Sequence, residues 1–134
     1  MNQTVVVLAD DLFWRTKIEH AVRSAQAPVK FISSPSELAA TDASVGVVIV
    51  DLGIRTPPFE AIAALKKAAR TKKIPVIGYY EHVRKDLLTK GQAAGCDQVL
   101  PRSHFSQHLG DLVMKYALPG GFRAENDEQE LPEE

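Results

Sequence analysis

The sequence predicts an α/β fold: a single doubly wound sheet of five parallel strands in the order 2-1-3-4-5, with helices on both faces. Strand-like apolar runs alternate with amphipathic helix-like runs along the chain, and right-handed βαβ crossovers demand a parallel sheet. Val45–Gly53 reads VGVVIVDLG, with no polar residue from Val47 to Val50, which is how a strand buried on both faces reads. Two strands end in acids, which places Asp10, Asp11 and Asp51 at the carboxyl edge of the sheet, where such folds bind ligands.

Thr4–Ala9 is the first strand, closed by Asp10 and Asp11. The helix after it gathers Trp14, Ile18, Ala21, Val22 and Ala25 on one face. Val29–Ser33 is a short second strand. Ser34 then caps a short helix, with Pro35 at its first position and Glu37 placed to reach back to the cap, and this helix ends near Thr41-Asp42. After the third strand, Val45–Val50, Pro57-Pro58 restarts a helix with a buried stripe of Phe59, Ile62, Leu65 and Ala69. Its end carries Lys66, Lys67, Arg70, Lys72 and Lys73, favourable for the helix dipole. Ile74–Tyr79 is the fourth strand. Glu81–Ala94 is a polar helix with Val83, Leu87 and Ala94 inward and Gly95 as its C-cap. Asp97–Leu100 is the fifth strand. Pro101-Arg102-Ser103 then turns into a last helix with Phe105, Leu109, Leu112, Val113 and Tyr116 inward.

A chain of 134 residues fits one domain with a sizeable core. We assign that domain to residues 1–118 and read 119–134 as an acidic, disordered tail. The net charge of −1 hides an asymmetry: Arg123–Glu134 holds six acids and one arginine, leaving 11 acids and 15 basic residues over 1–122, near +4. That body charge is too mild to argue for nucleic acid. The apolar runs are strand-sized, so no membrane span is expected. The N-terminus lacks the basic region of a signal peptide. A lone cysteine, Cys96, permits no internal disulfide, and a cytoplasmic location is the default expectation.

In the 2-1-3-4-5 order, strands 1 and 3 are neighbours, so Asp10, Asp11 and Asp51 share one crevice. Like charges raise one another's pKa unless a cation neutralises them. A hard divalent ion such as Mg²⁺ takes carboxylates, a backbone carbonyl and waters, and Asp11, Asp51 and the carbonyl of Gly53 offer that chemistry. A carboxylate beside such an ion also serves as a nucleophile toward phosphorus. Taken singly, Asp10 or Asp11 reads as a helix cap and Asp51 as an ordinary strand-to-loop aspartate. The position-matched set points to a site.

From Thr4 to about Leu118 the chain resembles the receiver domain of bacterial response regulators, a CheY-like domain with a flavodoxin-like fold. VVVLADD is similar to the first-strand acid pair that binds Mg²⁺, and VGVVIVDL to the strand that ends in the phospho-accepting aspartate. IPVIGYY with its helix is similar to the fourth βα unit, and AAGCDQVLPR to the glycine-led entry into strand five. The resemblance implies Asp51 as phospho-acceptor. It implies Asp10, Asp11, Asp51 and the backbone carbonyl of Gly53 as the Mg²⁺ ligands, and Tyr80 and Arg102 in the phosphoryl-contact and switch positions. His82, just after Tyr80, is a candidate group at the crevice edge.

The chain departs from the family's pattern at several places. Gly53-Ile54-Arg55-Thr56-Pro57-Pro58 lacks the methionine-proline and aspartate-glycine of the usual loop. Tyr80 stands where receivers carry a threonine or serine. Pro101-Arg102 replaces the usual lysine and cis proline: counting from Gly95 puts Arg102 in the lysine position, whereas matching the prolines puts Leu100 there. A guanidinium is a wider planar fork than an ammonium, able to neutralise a phosphoryl oxygen or pair with Asp51. Val99 holds the strand-five position of the aromatic that rotates in the usual switch. These departures describe an atypical or pseudo-receiver.

The functional expectation is a non-enzymatic, stand-alone signalling module of a two-component or phosphorelay system. The alternative is a phosphorylation-independent adaptor that acts by docking alone. Partners, a sensor kinase or an output protein, are expected on the surface of the fourth helix, fifth strand and fifth helix, from Val83–Lys90 and His104–Tyr116, and a homodimer is a further expectation. A flavodoxin-like small-molecule binder would need a phosphate cradle after strand one, where ADDLF instead offers two negative charges. A phosphohydrolase would need a DxD pair there. His104 and His108 have metal-compatible spacing with no evident third ligand, Cys96 reads as a packed residue, and Trp14 reads as core.

Overall fold

The structure, a computed structural model, describes residues 2–118. The proposed tail lies outside the described residues. Five strands, β1 (Thr4–Leu8), β2 (Val29–Ile32), β3 (Val45–Asp51), β4 (Val76–Tyr80) and β5 (Gln98–Pro101), form one sheet in the order β2-β1-β3-β4-β5. Every pairing is parallel, as the alternation of elements predicts. Among the described residues, three α-helices connect strands, α1 (Leu12–Ser24), α2 (Phe59–Lys67) and α3 (Lys85–Ala94), and α4 (Arg102–Ala117) follows β5. The β2-to-β3 connection carries a 3-10 helix, η1 (Pro35–Ala40).

Strand alternation sorts the apolar residues of β3 onto two faces. Val47 and Ile49 join Val5, Val7, Ile77, Trp14, Ile18, Phe105 and Leu109 in a layer under α1 and α4. Val48 and Val50 join Leu8, Val76, Ile62, Leu65 and Leu87 in a layer under η1, α2 and α3. Val45–Val50 is buried throughout, because both faces are covered.

The short second helix ends at Ala40 with Thr41 as its C-cap, where expected, and is 3-10 in type. Its capping box forms, with Glu37 accepting from the backbone N–H of Ser34 at 3.1 Å, and a segment this short closes with tight turns. Two other expected details differ. The α2 helix stops at Lys67 because Ala68 turns extended (ψ 136°), leaving Ala69 exposed and outside the stripe. Val83 is 65 % exposed rather than inward. It precedes α3, in a turn closed by Arg84 N–H donating to the Glu81 carbonyl at 2.7 Å.

Two contacts fix the ends of the central strands. At the carboxyl end, Leu52 is fully buried between Gly78 of β4 and Gly91 of α3. A Cβ on Gly78 would lie 2.8–2.9 Å from three carbons of Leu52, and one on Gly91 would lie 2.8 Å from its Cδ1. At the opposite edge, Asp97 Oδ2 accepts from the Val76 N–H and from Lys66 Nζ, both at 2.8 Å. Lys66 also donates to the Ile74 carbonyl at 2.9 Å, so one ammonium ties α2 to the starts of β4 and β5.

Gly78→Ala is expected to destabilise the domain by about 1–3 kcal/mol, because the added methyl overpacks a closed site. In a Leu52→Ala background most of that increment should vanish. A double-mutant cycle by urea denaturation measures the coupling.

Candidate functional site

Asp51 is the last residue of β3, beside Tyr79 of β4. Its Oδ1 accepts from the Gly53 N–H at 2.9 Å, and its carbonyl accepts from the Ile54 N–H at 3.2 Å. This tight turn, with Ile54 buried beneath it, fixes the carboxylate at the top of the sheet. Burial pushes the Asp51 carboxyl above its ordinary value of 3.8. The negative charges of Asp10 and Asp11 push the same way, against the Gly53 N–H and the positive charge of Arg102. The three acids therefore share one electrostatic field, as the strand order requires.

Asp10 and Asp11 lie exposed at the end of β1. Asp11 also caps α1, its Oδ1 accepting from the Trp14 N–H at 3.2 Å. Arg102 opens α4. Its guanidinium lies 3.4 Å from Glu81 Oε2 and 5.7 Å from the ring of Trp14, so its nearest carboxylate is Glu81 rather than Asp51. His82 is exposed and lines an open cleft of about 480 Å³ with Phe13, Lys17, Glu81 and Arg102, between the starts of α1 and α4. His104 and His108 are exposed on α4, their rings 4.4 Å apart. Cys96 is half-buried, and burial pushes its thiol up to about 11, which leaves it a poor nucleophile.

The paired tyrosines split between the two faces. Tyr80 is 3 % exposed and packs under η1, α2 and α3, in the same layer as Val50, Leu52, Leu87 and Val99. Tyr79 takes the other face, under α1 and α4, with its ring stacked on Phe105 at 4.6 Å and tilted against Trp14 at 5.3 Å. Its hydroxyl is buried with no hydrogen-bond partner among the described residues. Burial, then the charges of Asp51 and Asp11, push this phenol far above its ordinary pKa. Sequence reasoning passed over Tyr79. The signal was the strand period, which puts neighbouring tyrosines on opposite faces.

The three acids and the Gly53 carbonyl offer oxygen donors, which suit a hard divalent cation. Among the described residues, no group of three His, Cys, Asp or Glu side chains forms a ready cage for a metal. Mg²⁺ does not require one, since it keeps several waters and binds through one or two carboxylates. The donor chemistry therefore fits such an ion, held by an incomplete set of protein ligands.

No family model and no curated protein sequence matches the chain. Solved structures do. The chemotaxis protein CheY4 of Vibrio cholerae aligns with TM-score 0.72 and 20 % identity, over 87 % of this chain and 99 % of that one. The phosphorylated cyanobacterial phytochrome response regulator RcpA aligns with TM-score 0.69 and 15 % identity, over 84 % and 89 %. The Mn²⁺-bound form of response regulator Rcp1 aligns with TM-score 0.69 and 12 % identity, over 87 % and 99 %. The chain has the receiver-domain fold. Within that fold, Asp10 and Asp11 at the end of β1 and Asp51 at the end of β3 are the acids that the sequence places at the carboxyl edge.

Folding raises the Asp51 carboxyl above 3.8, so the folded chain holds that proton more tightly than the unfolded chain. The penalty for ionising it is absent below the unfolded value. It grows as pH rises through the folded value and persists at neutral pH. Asp51→Asn is therefore expected to raise Tm more at pH 7 than at pH 3.5, as a calorimetric pH series would show. Tyr79→Phe, which removes an unpartnered buried hydroxyl, should stabilise the domain by about 1 kcal/mol in urea denaturation.

Proposed function

We propose that the chain is a receiver-type signalling module, not an enzyme, in which Asp51 accepts a phosphoryl group. The observation that carries this reading is Asp51 itself: half-buried at the end of the central strand, with its pKa raised by burial and by Asp10 and Asp11. In the transfer, a carboxylate oxygen of Asp51 attacks phosphorus as the bond between phosphorus and the donor breaks. The donor group leaves with that electron pair. Asp10, Asp11, Asp51 and the Gly53 carbonyl would hold Mg²⁺, which when bound supplies positive charge to the phosphoryl oxygens. The Mn²⁺-bound neighbour supports a divalent ion on this fold, and the phosphorylated neighbour supports the acceptor role.

The usual conformational response is altered in this reading. Tyr80 is packed away from the α1–α4 face, Arg102 is engaged by Glu81 and Trp14, and Val99 has no ring to rotate. The output would pass by docking to a sensor kinase, an output protein or a second copy of the chain. The surface of α3, β5 and α4 offers exposed Met114, with exposed Val83 just before α3. No described helix is long and apolar enough to cross a membrane, and we retain the cytoplasmic assignment for the module.

The same arrangement of Tyr80 and Arg102 favours a second reading, an adaptor in which Asp51 is never phosphorylated. Incubation with Mg²⁺ and a small phosphoryl donor, or with beryllofluoride, separates the two. Phosphorylation predicts one added phosphoryl group in the intact mass and Mg²⁺-dependent NMR shifts around Asp51, both lost in Asp51→Asn. A wild-type chain that behaves like Asp51→Asn in every arm leaves the adaptor.

A further inference from the structure

We propose that the acidic C-terminal segment, residues 123–134, docks on its own domain in an apolar groove with a basic rim between η1 and α2. The groove has a volume of about 470 Å³, and its walls include Pro35, Leu38, Ala61, Ala64, Leu65 and Arg70. It is open because η1 is only six residues long and because α2 presents small alanine side chains toward it. This inference is independent of whether Asp51 is phosphorylated.

Four basic residues, Lys67, Arg70, Lys72 and Lys73, lie exposed within seven positions at the end of α2 and in the loop that follows. None of the four forms an ion pair among the described residues. Their neighbour Lys66 is engaged by Asp97. Asp42 stands in the field of Arg70, but its carboxylate is bound by the N–H and hydroxyl of Ser44. Arg70 lines the groove and the other three lie within three residues of it in sequence, which concentrates positive charge beside an apolar floor.

The occupant is identified by complementary charge and by reach. Residues 123–134 carry six acids and one arginine, and the apolar pair Leu131-Pro132 sits among the acids. The Gln3 N–H donates to the Ala117 carbonyl at 2.7 Å, so α4 ends at the edge where the strands begin. The segment before β4, which carries Arg70, Lys72 and Lys73, reaches that same edge. The 13 residues from Pro119 to Leu131 span about 40 Å when extended, at roughly 3.3 Å each. A five-stranded sheet is only about 20 Å across. Tethering gives an effective concentration on the order of mM, enough to fill a site that is weak for a free peptide. An acidic partner of this groove would first have to displace the segment.

The test places a nitroxide at Asn126→Cys in the full chain, with Cys96→Ala, and reads paramagnetic broadening of backbone amides. At low salt the amides of Ala61–Thr71 should broaden about twofold or more over those of α1, and the difference should collapse at high salt, where screening removes it. Lys67→Gln/Arg70→Gln/Lys72→Gln/Lys73→Gln should abolish it while the amide spectrum stays dispersed. Even broadening over the surface, a focus elsewhere, or insensitivity to both salt and the quadruple variant would overturn the proposal. So would broadening carried over to isotope-labelled chains that bear no nitroxide, since the segment would then belong to a second copy.

Discussion

Leu52 is the contact on which the carboxyl edge depends. It follows the acid at the end of β3 and fills the space that two absent side chains leave, one on β4 and one on α3. With Leu52 held there, the chain must turn at Gly53, and Asp51 must stay at the top of the sheet with its oxygen on the Gly53 N–H. The position of α3, and with it β5, follows from how closely Gly91 lets the helix approach. The packing is apolar, but its product is an oriented carboxylate.

That carboxylate sits in opposed fields. Burial and two neighbouring acids disfavour its ionised form, while a backbone N–H and one guanidinium favour it. A cation placed among the three acids would relieve that repulsion. Beneath it, Trp14, Tyr79 and Phe105 form a stack that joins α1, β4 and α4, so a disturbance at the edge has a packed route into both helices.

Much of the fold was legible because its determinants are local. The β-branched runs of Val5–Val7 and Val47–Val50 specify buried parallel strands, and the acids that end them need only the strand order to be brought together. What stayed hidden depends on partners remote in sequence. Ala69 continues the stripe of α2 by pattern, yet the chain turns at Ala68 and the Ile74 N–H closes on the Thr71 carbonyl instead. Arg102 has the charge to face Asp51, but Glu81 reaches it from the loop after β4 and Trp14 from α1. The roles of Tyr79 and Tyr80 turn on which helices cover which face, and a single doublet in the sequence does not say.

The Pro101-Arg102 order also bears on how the sheet ends. The outermost strand β5 is four residues long and closes on Pro101, which has no N–H to offer an incoming strand. The opposite outermost strand, β2, is equally short and carries an exposed lysine, Lys30, at its centre. Short length, an imino acid on one side and a solvated charge on the other are the features by which natural sheets discourage unintended strand addition. Pro101 on one margin and Lys30 on the other thus give both free edges of the sheet a feature that works against strand-on-strand growth.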